Sequence, residues 1–216
     1  MSDPVSVTIS MFALAVSFVT AWLTFFRRGT VKMTQPTVIF FGPDPPDRQG
    51  QINQKVFLRT LLFATSKRGR IIESMHVSLS RNEAHQNFNI WTYGERNDLV
   101  RGSGLFVGET GVAVNHHFLT PKDTTSFRFA AGHYKLDVYA HLLGDKSRTL
   151  LFSQMLEVTG EDANALKDPR AGLYFDWGPD ASRYLSHVDR RQPMTAPDDT
   201  FRELLRDAPP TSTNKR

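Results

Sequence analysis

Histidine is the residue type best suited to hold a metal or move a proton near neutral pH, and this 216-residue chain has seven. His116 and His117 are adjacent in an apolar, β-branched stretch, with Asn115 before them. In a strand such neighbours point to opposite faces, so they do not form a simple ligand pair. His133 and His141 share a face but lie roughly 27 Å apart at about 3.3 Å per residue, with Asp137 midway. His76, His85 and His187 have no partner at a metal-binding spacing. The chain has no cysteine, which removes disulfides, thiolate metal sites and cysteine nucleophiles together. Asp176 and Asp180 flank Trp177-Gly178-Pro179 and read as turn formers. Asp198 and Asp199 read as charge ahead of a short helix beginning at Thr200. The glycine-rich run Gly102–Gly108 lacks the Lys-Ser/Thr ending of a phosphate loop and reads as a loop entering a strand. No G-x-S-x-G is present. No catalytic, cofactor-binding or metal-binding residue is therefore assigned, and no cofactor is expected. The alternative is a membrane-bound hydrolase in which His116 or His117 converges with Asp176 near Asn115-His116-His117.

The segment from Val5 to Phe26 contains 22 residues without a charged side chain. As a helix it would be roughly 33 Å long, enough to cross a hydrocarbon core of about 30 Å. Trp22 near its end and Arg27 and Arg28 just after it fit a headgroup boundary. The flanks differ from those of a cleaved signal peptide: Met-Ser-Asp-Pro has no basic residue, and no small-residue cleavage site follows the run. Asp3 is the only charged side chain before the span, whereas Arg27, Arg28 and Lys32 follow it. The positive-inside rule then predicts a single-pass protein with its N-terminus outside and its C-terminal domain in the cytoplasm. Ala13, Ser17 and Ala21 recur every fourth residue, a stripe on which two such helices could approach closely.

Beyond the span the texture becomes one of short apolar runs separated by turn signals. Thr37–Phe41, Val56–Thr65, Met75–Leu79, Phe88–Ile90, Val112–Phe118, Phe127–Phe129, His133–His141 and Leu150–Val158 read as strands. The clearest is His133–His141, where Tyr134, Leu136, Val138 and Ala140 alternate with polar residues. Eight or nine short strands over residues 37–159 predict an all-β fold, an antiparallel sandwich.

Gly132-His133-Tyr134-Lys135-Leu136 resembles the start of strand F in immunoglobulin-like domains, which implies that the Tyr134 hydroxyl bonds back to the backbone to close a corner. The stretch from Val56 through Ser66-Lys67-Arg68-Gly69-Arg70 to Leu79 is similar to strand B, its loop and strand C of bacterial immunoglobulin-like modules. The chain departs from antibody-type domains: Leu136 stands where their second cysteine would be, and Trp91 lies too far beyond the first strand to be their strand-C tryptophan. The resemblance covers residues 37–159. The whole layout is similar to small bacterial single-pass membrane proteins of the inner membrane, a likeness that implies no particular reaction.

Five segments are expected: an anchor over 1–28, a linker over 29–36, the sandwich over 37–159, a packed extension with a short helix over 160–189, and a mobile polar tail over 190–216. Leu173, Tyr174, Phe175 and Trp177 crowd the extension, and groups of that size are expected to dock on the sandwich or on a partner. Residues 27–159 carry 17 Lys+Arg against 11 Asp+Glu, most densely at Lys67, Arg68 and Arg70. On a cytoplasmic membrane face such a turn would be attracted by anionic headgroups. Nucleic acid is not an expected partner, because no long basic stripe interleaved with aromatics is present. The combined expectation is a membrane-anchored, non-catalytic interaction or assembly module. Its partner would be a membrane or membrane-associated protein, a second copy through the anchor, or the anionic lipid surface. The contact candidates are Ala13, Ser17, Ala21, Lys67, Arg68, Arg70, Tyr174, Phe175 and Trp177.

Overall fold

A computed structural model describes residues 3–22, 24, 28–44, 52–95, 99–121 and 127–191. The apolar N-terminal segment forms helix α1 (Pro4–Ala21), 18 residues long. The Asp3 carboxylate caps it by accepting from the Val5 amide at 3.2 Å, and Pro4 occupies a first-turn position where no backbone donor is needed. Thr8, Ser10 and Thr20 return their hydroxyls to the carbonyls of Pro4, Ser6 and Val16, at 2.9, 2.9 and 2.8 Å. Those three hydroxyls therefore find a partner without water. No residue of α1 is buried against the rest of the protein.

The remainder is a sandwich of two antiparallel sheets. Its strands are β1 (Val31–Met33), β2 (Val38–Pro43), β3 (Gln54–Ala64), β4 (Arg70–Arg81), β5 (Ala84–Phe88), β6 (Ile90–Gly94), β7 (Val100–Arg101), β8 (Leu105–Val107), β9 (Val112–Leu119), β10 (Gly132–Leu142), β11 (Thr149–Val158), β12 (Ala171–Gly178) and β13 (Arg183–Arg190). The larger sheet runs β13-β12-β2-β3-β9-β6-β7, with β1 pairing the end of β3. The smaller runs β11-β10-β4-β5, with β8 added to β4. The order β2-β3-β9-β6 facing β11-β10-β4-β5 reproduces strands A-B-E-D against G-F-C-C′ of an immunoglobulin-like sandwich. β3 and β4 are the B and C strands; the chain crosses between sheets through the Ser66–Gly69 turn, where Gly69 takes φ +67°.

Period-two alternation explains the core. Tyr134, Leu136, Val138 and Ala140 of β10 are buried against Ile39, Phe41, Val56 and Leu58 of the opposite sheet. Phe41 is the hub: its ring stacks on Phe129 at 4.9 Å and meets Phe175 edge-on at 5.2 Å. Phe127 and Phe129 were expected on a strand, but they reach the core from an irregular segment ahead of β10. Aromatic side chains are long enough to fill the end of the sandwich without a paired backbone.

The Tyr134 hydroxyl donates to the Ala130 carbonyl at 2.9 Å and accepts from the Ala130 amide at 3.0 Å. This is the corner that the Gly-x-Tyr resemblance implies. Gly132 enters it at φ +140°, and the Arg81 guanidinium lies over the Tyr134 ring while donating to the Ala131 carbonyl at 2.8 Å. Tyr134→Phe removes both corner bonds and keeps the ring. It is expected to cost about 1–3 kcal/mol, because the Ala130 amide and carbonyl are part-buried. A lower urea midpoint at unchanged slope would confirm this, and an unchanged midpoint would refute it.

Two segment boundaries move. Residues 29–36 were expected to be a linker, yet β1 within them pairs Val31–Met33 with Leu62–Ala64. Residues 160–189 were expected to be a docked extension, yet β12 joins the large sheet, matching Leu173–Asp176 to Val38–Phe41, and β13 pairs along all of β12. Leu173 and Phe175 are drawn into the core by the same alternation that builds the other strands. The short helix expected here is α2 (Gly160–Ala165), started by a reciprocal Thr159/Asp162 cap. Residues 192–216, including Asp198, Asp199 and the helix expected at Thr200, lie outside the described residues, as do Phe26 and Arg27.

Candidate functional site

The histidines do not assemble. His116 is fully buried between the sheets, where its Nδ1 accepts from Trp91 Nε1 at 3.2 Å. His117 is on the outer face of the large sheet, tilted against Phe57 at 4.9 Å. Asp176 shares that outer face but lies three strands away across β3, β2 and β12, roughly 14 Å at about 4.8 Å per strand. Its carboxylate instead meets His187 Nδ1 at 3.3 Å on the neighbouring β13. The hydrolase alternative needed these groups in hydrogen-bond reach, and the sheet geometry separates them.

His116 has a consequence for stability. Burial, with His117 adding to it, lowers its pKa to about 4. With Nδ1 accepting from Trp91, the neutral ring carries its proton on Nε2, which has no partner among the described residues. The unfolded chain takes up a proton near pH 6.5 and the folded chain only near pH 4. Stability is thus full above pH 6.5 and is lost as pH falls toward 4, on the order of 3 kcal/mol. His117, lowered to about 4 chiefly by burial, adds an acid loss of its own, so His116→Asn, which cannot titrate, should lessen the fall in melting temperature between pH 7 and 4.5 without abolishing it. An equally steep acid loss in the variant would contradict this origin.

Of the expected contact residues on β12, Phe175 alone is withdrawn into the core, and Tyr174 and Trp177 are half-buried. Phe175 is buried on Phe41 and is unavailable to a partner. Tyr174 sits between Phe40 and His187, and Trp177 meets Tyr184 edge-on at 5.2 Å. Ala13, Ser17 and Ala21 are all exposed along α1.

The end of the sandwich nearest α1 in the chain brings several sequence features together. The chain arriving from α1 is tied to the turn between β3 and β4: Thr65 donates its amide to the Thr30 carbonyl, and Thr30 donates its amide to the Thr65 hydroxyl, both at 2.9 Å. Arg70 is the clamp. It donates to the Gly29 carbonyl at 2.9 Å, the Leu143 carbonyl at 3.3 Å and the Asp145 carboxylate at 2.7 Å. It was expected to be one of three cations facing outward, but its partners occupy it. Lys67 and Arg68 are exposed beside it.

Three exposed apolar side chains share this end. Ile71 pairs opposite Phe106 across β4 and β8, and the Leu143 amide donates to the Ile71 carbonyl at 2.9 Å. They are 39%, 60% and 52% exposed. The Phe106 ring lies directly over Gly69, close enough that a side chain at 69 would collide with it. An open cavity of about 330 Å³ runs between these residues and Arg28, Ser66 and Arg68. The basic turn is legible in the sequence, and the apolar half is not. Phe106 alternates with the buried Val107, and Leu143 follows the buried Leu142, so one of each pair had to point outward.

No protein-family model matches this chain, and no curated protein matches it in sequence. Among solved structures, the CooA pilin subunit from enterotoxigenic Escherichia coli overlaps 59% of this chain and 97% of its own, at 10% identity and a TM-score of 0.30. A score that low supports no argument about fold or function.

Proposed function

We propose that this protein is a membrane-tethered, non-catalytic binding module. α1 would hold it in a bacterial inner membrane with the N-terminus outside and the immunoglobulin-like sandwich in the cytoplasm. The observation that supports this best is α1 itself: 18 residues, apolar, long enough to cross a membrane, and wholly unburied. Left in water, such a helix would expose far more contiguous apolar surface than soluble monomers usually carry. The orientation rests on Asp3 before the helix and Arg28 and Lys32 after it. A tether of this kind confines the sandwich to one surface and raises its effective concentration toward partners there. In the bilayer, the Ala13-Ser17-Ala21 stripe is the contact offered to a second copy or to another span.

A reporter fused after Arg216 should be active only in the cytosol. Chemical crosslinking in intact membranes, followed by purification in mild detergent, should recover a stoichiometric complex or homo-oligomer. A strictly monomeric chain at native expression level would overturn the binding role, and a reporter active only on the far side would reverse the orientation.

A further inference from the structure

We propose that the α1-side tip of the sandwich is a seat for anionic phospholipid. Arg28, Lys67 and Arg68 would take headgroup phosphates, while Ile71, Phe106 and Leu143 enter the interfacial layer. The inference rests on α1 lying in a bilayer and adds a second contact between the same chain and the same membrane.

Reach is the first argument. Arg28 follows Trp22, the cap of α1, by six residues, so the tip stands no more than about 22 Å along the chain from the helix end. The Thr30–Thr65 bonds and the Arg70 clamp hold the basic turn against that same entry point. A chain length that short keeps the tip within reach of the headgroups once α1 lies in a bilayer.

Composition is the second. A protein that lies against a membrane interface pairs exposed large apolar groups with Lys and Arg, which is what this tip presents. The apolar groups are fixed rather than trailing: Phe106 over Gly69, Ile71 opposite it in the β4–β8 ladder, Leu143 bonded to Ile71. Lys146 adds a further exposed cation on the turn after β10. The Asp145 carboxylate is paired with Arg70, and Glu73, beside His141, and Glu109 on the turn before β9 are opposing charges.

The third is an unmet donor. Ser66 lines the cavity, and its hydroxyl, enclosed beside Gly29, has no hydrogen-bond partner among the described residues. A buried hydroxyl without a partner is costly, and a rotation of the Ser66 side chain toward the cavity would let it donate to a phosphate oxygen there. The cavity is open and large enough for one phosphate group.

The absence of cysteine makes the test direct. Leu143→Cys in the full chain, labelled with an environment-sensitive fluorophore, is reconstituted into vesicles of phosphatidylcholine alone or mixed with phosphatidylglycerol. A label at Glu157→Cys, at the opposite end of β11, serves as the reference. The expected result is a blue shift at position 143 only in vesicles containing phosphatidylglycerol. It should be lost in Lys67→Glu/Arg68→Glu, shown to be folded by its urea transition, while position 157 does not move. Identical emission from position 143 in both vesicles and in detergent overturns the seat. Loss of the shift on adding inorganic phosphate, but not chloride at equal ionic strength, overturns the lipid assignment in favour of a soluble anion. A chain that floats with the vesicles but keeps a water-exposed label refutes the seat alone; a chain that does not float refutes the anchoring reading beneath it.

Discussion

Ending the chain at Thr159 is expected to destroy cooperative folding of the sandwich, although every strand of the A-B-E-D and G-F-C-C′ order is then still present. The reason is that β12 is part of the core. Ala171, Leu173 and Phe175 are buried to 1%, 0% and 2% exposure. Burying a leucine and a phenylalanine stabilises by about 1.5–3 kcal/mol each, against a total of about 5–15 kcal/mol for a domain. The cut also opens β2 along its whole pairing with β12, leaving an apolar strand unpaired at the edge, a template for aggregation. It removes the Tyr184 hydroxyl that donates to the Pro36 carbonyl at 2.8 Å and the Arg191 guanidinium that donates to the Pro43 carbonyl at 3.1 Å. The shortened chain should be aggregated, or should lack a sharp urea transition in detergent micelles. A transition with the midpoint of the full chain would show that residues 160–191 merely rest on a complete domain.

Phe41→Ala is expected to be the most damaging single substitution. Phe41 is fully buried, and its ring contacts Phe129, Phe175 and Tyr134 at once, linking the β12 addition, the pre-β10 segment and the tyrosine corner. Deleting a ring from so many-sided a site leaves a cavity, and the loss should be about 3–5 kcal/mol. Phe106→Ala removes a ring of the same size from a 60% exposed position and should cost less than about 1 kcal/mol. Equal losses at the two positions, read from urea midpoints, would contradict the placement of the core.

These contrasts show what sequence alone could supply. The β10 alternation and the Gly132–Tyr134 corner were legible because both are local: a period of two, and a bond spanning four residues. β12 was legible in principle, since Leu173 and Phe175 alternate with Tyr174 and Asp176, but its four large apolar residues looked like a docking patch. β13 hid it further. It is an edge strand with mostly exposed residues on both faces, so it shows no alternation, and only pairing with β12 makes it a strand. The basic turn illustrates a different limit. Lys67, Arg68 and Arg70 are alike in sequence, yet Arg70 is structural because Gly29, Leu143 and Asp145 come to it from 41, 73 and 75 residues away. His116 and His117 were separable from the start, since a strand sends neighbours to opposite faces. Trp91 as the partner of His116 comes from the neighbouring strand β6 and required the sheet order.

The tether is the claim on which the functional account depends, and alkaline carbonate extraction of membranes carrying the full chain tests it most directly. After ultracentrifugation the protein is expected in the pellet, with an intact mass that still includes Pro4–Ala21. Protein in the supernatant, or a pelleted or soluble form whose mass shows that α1 has been removed, would contradict it.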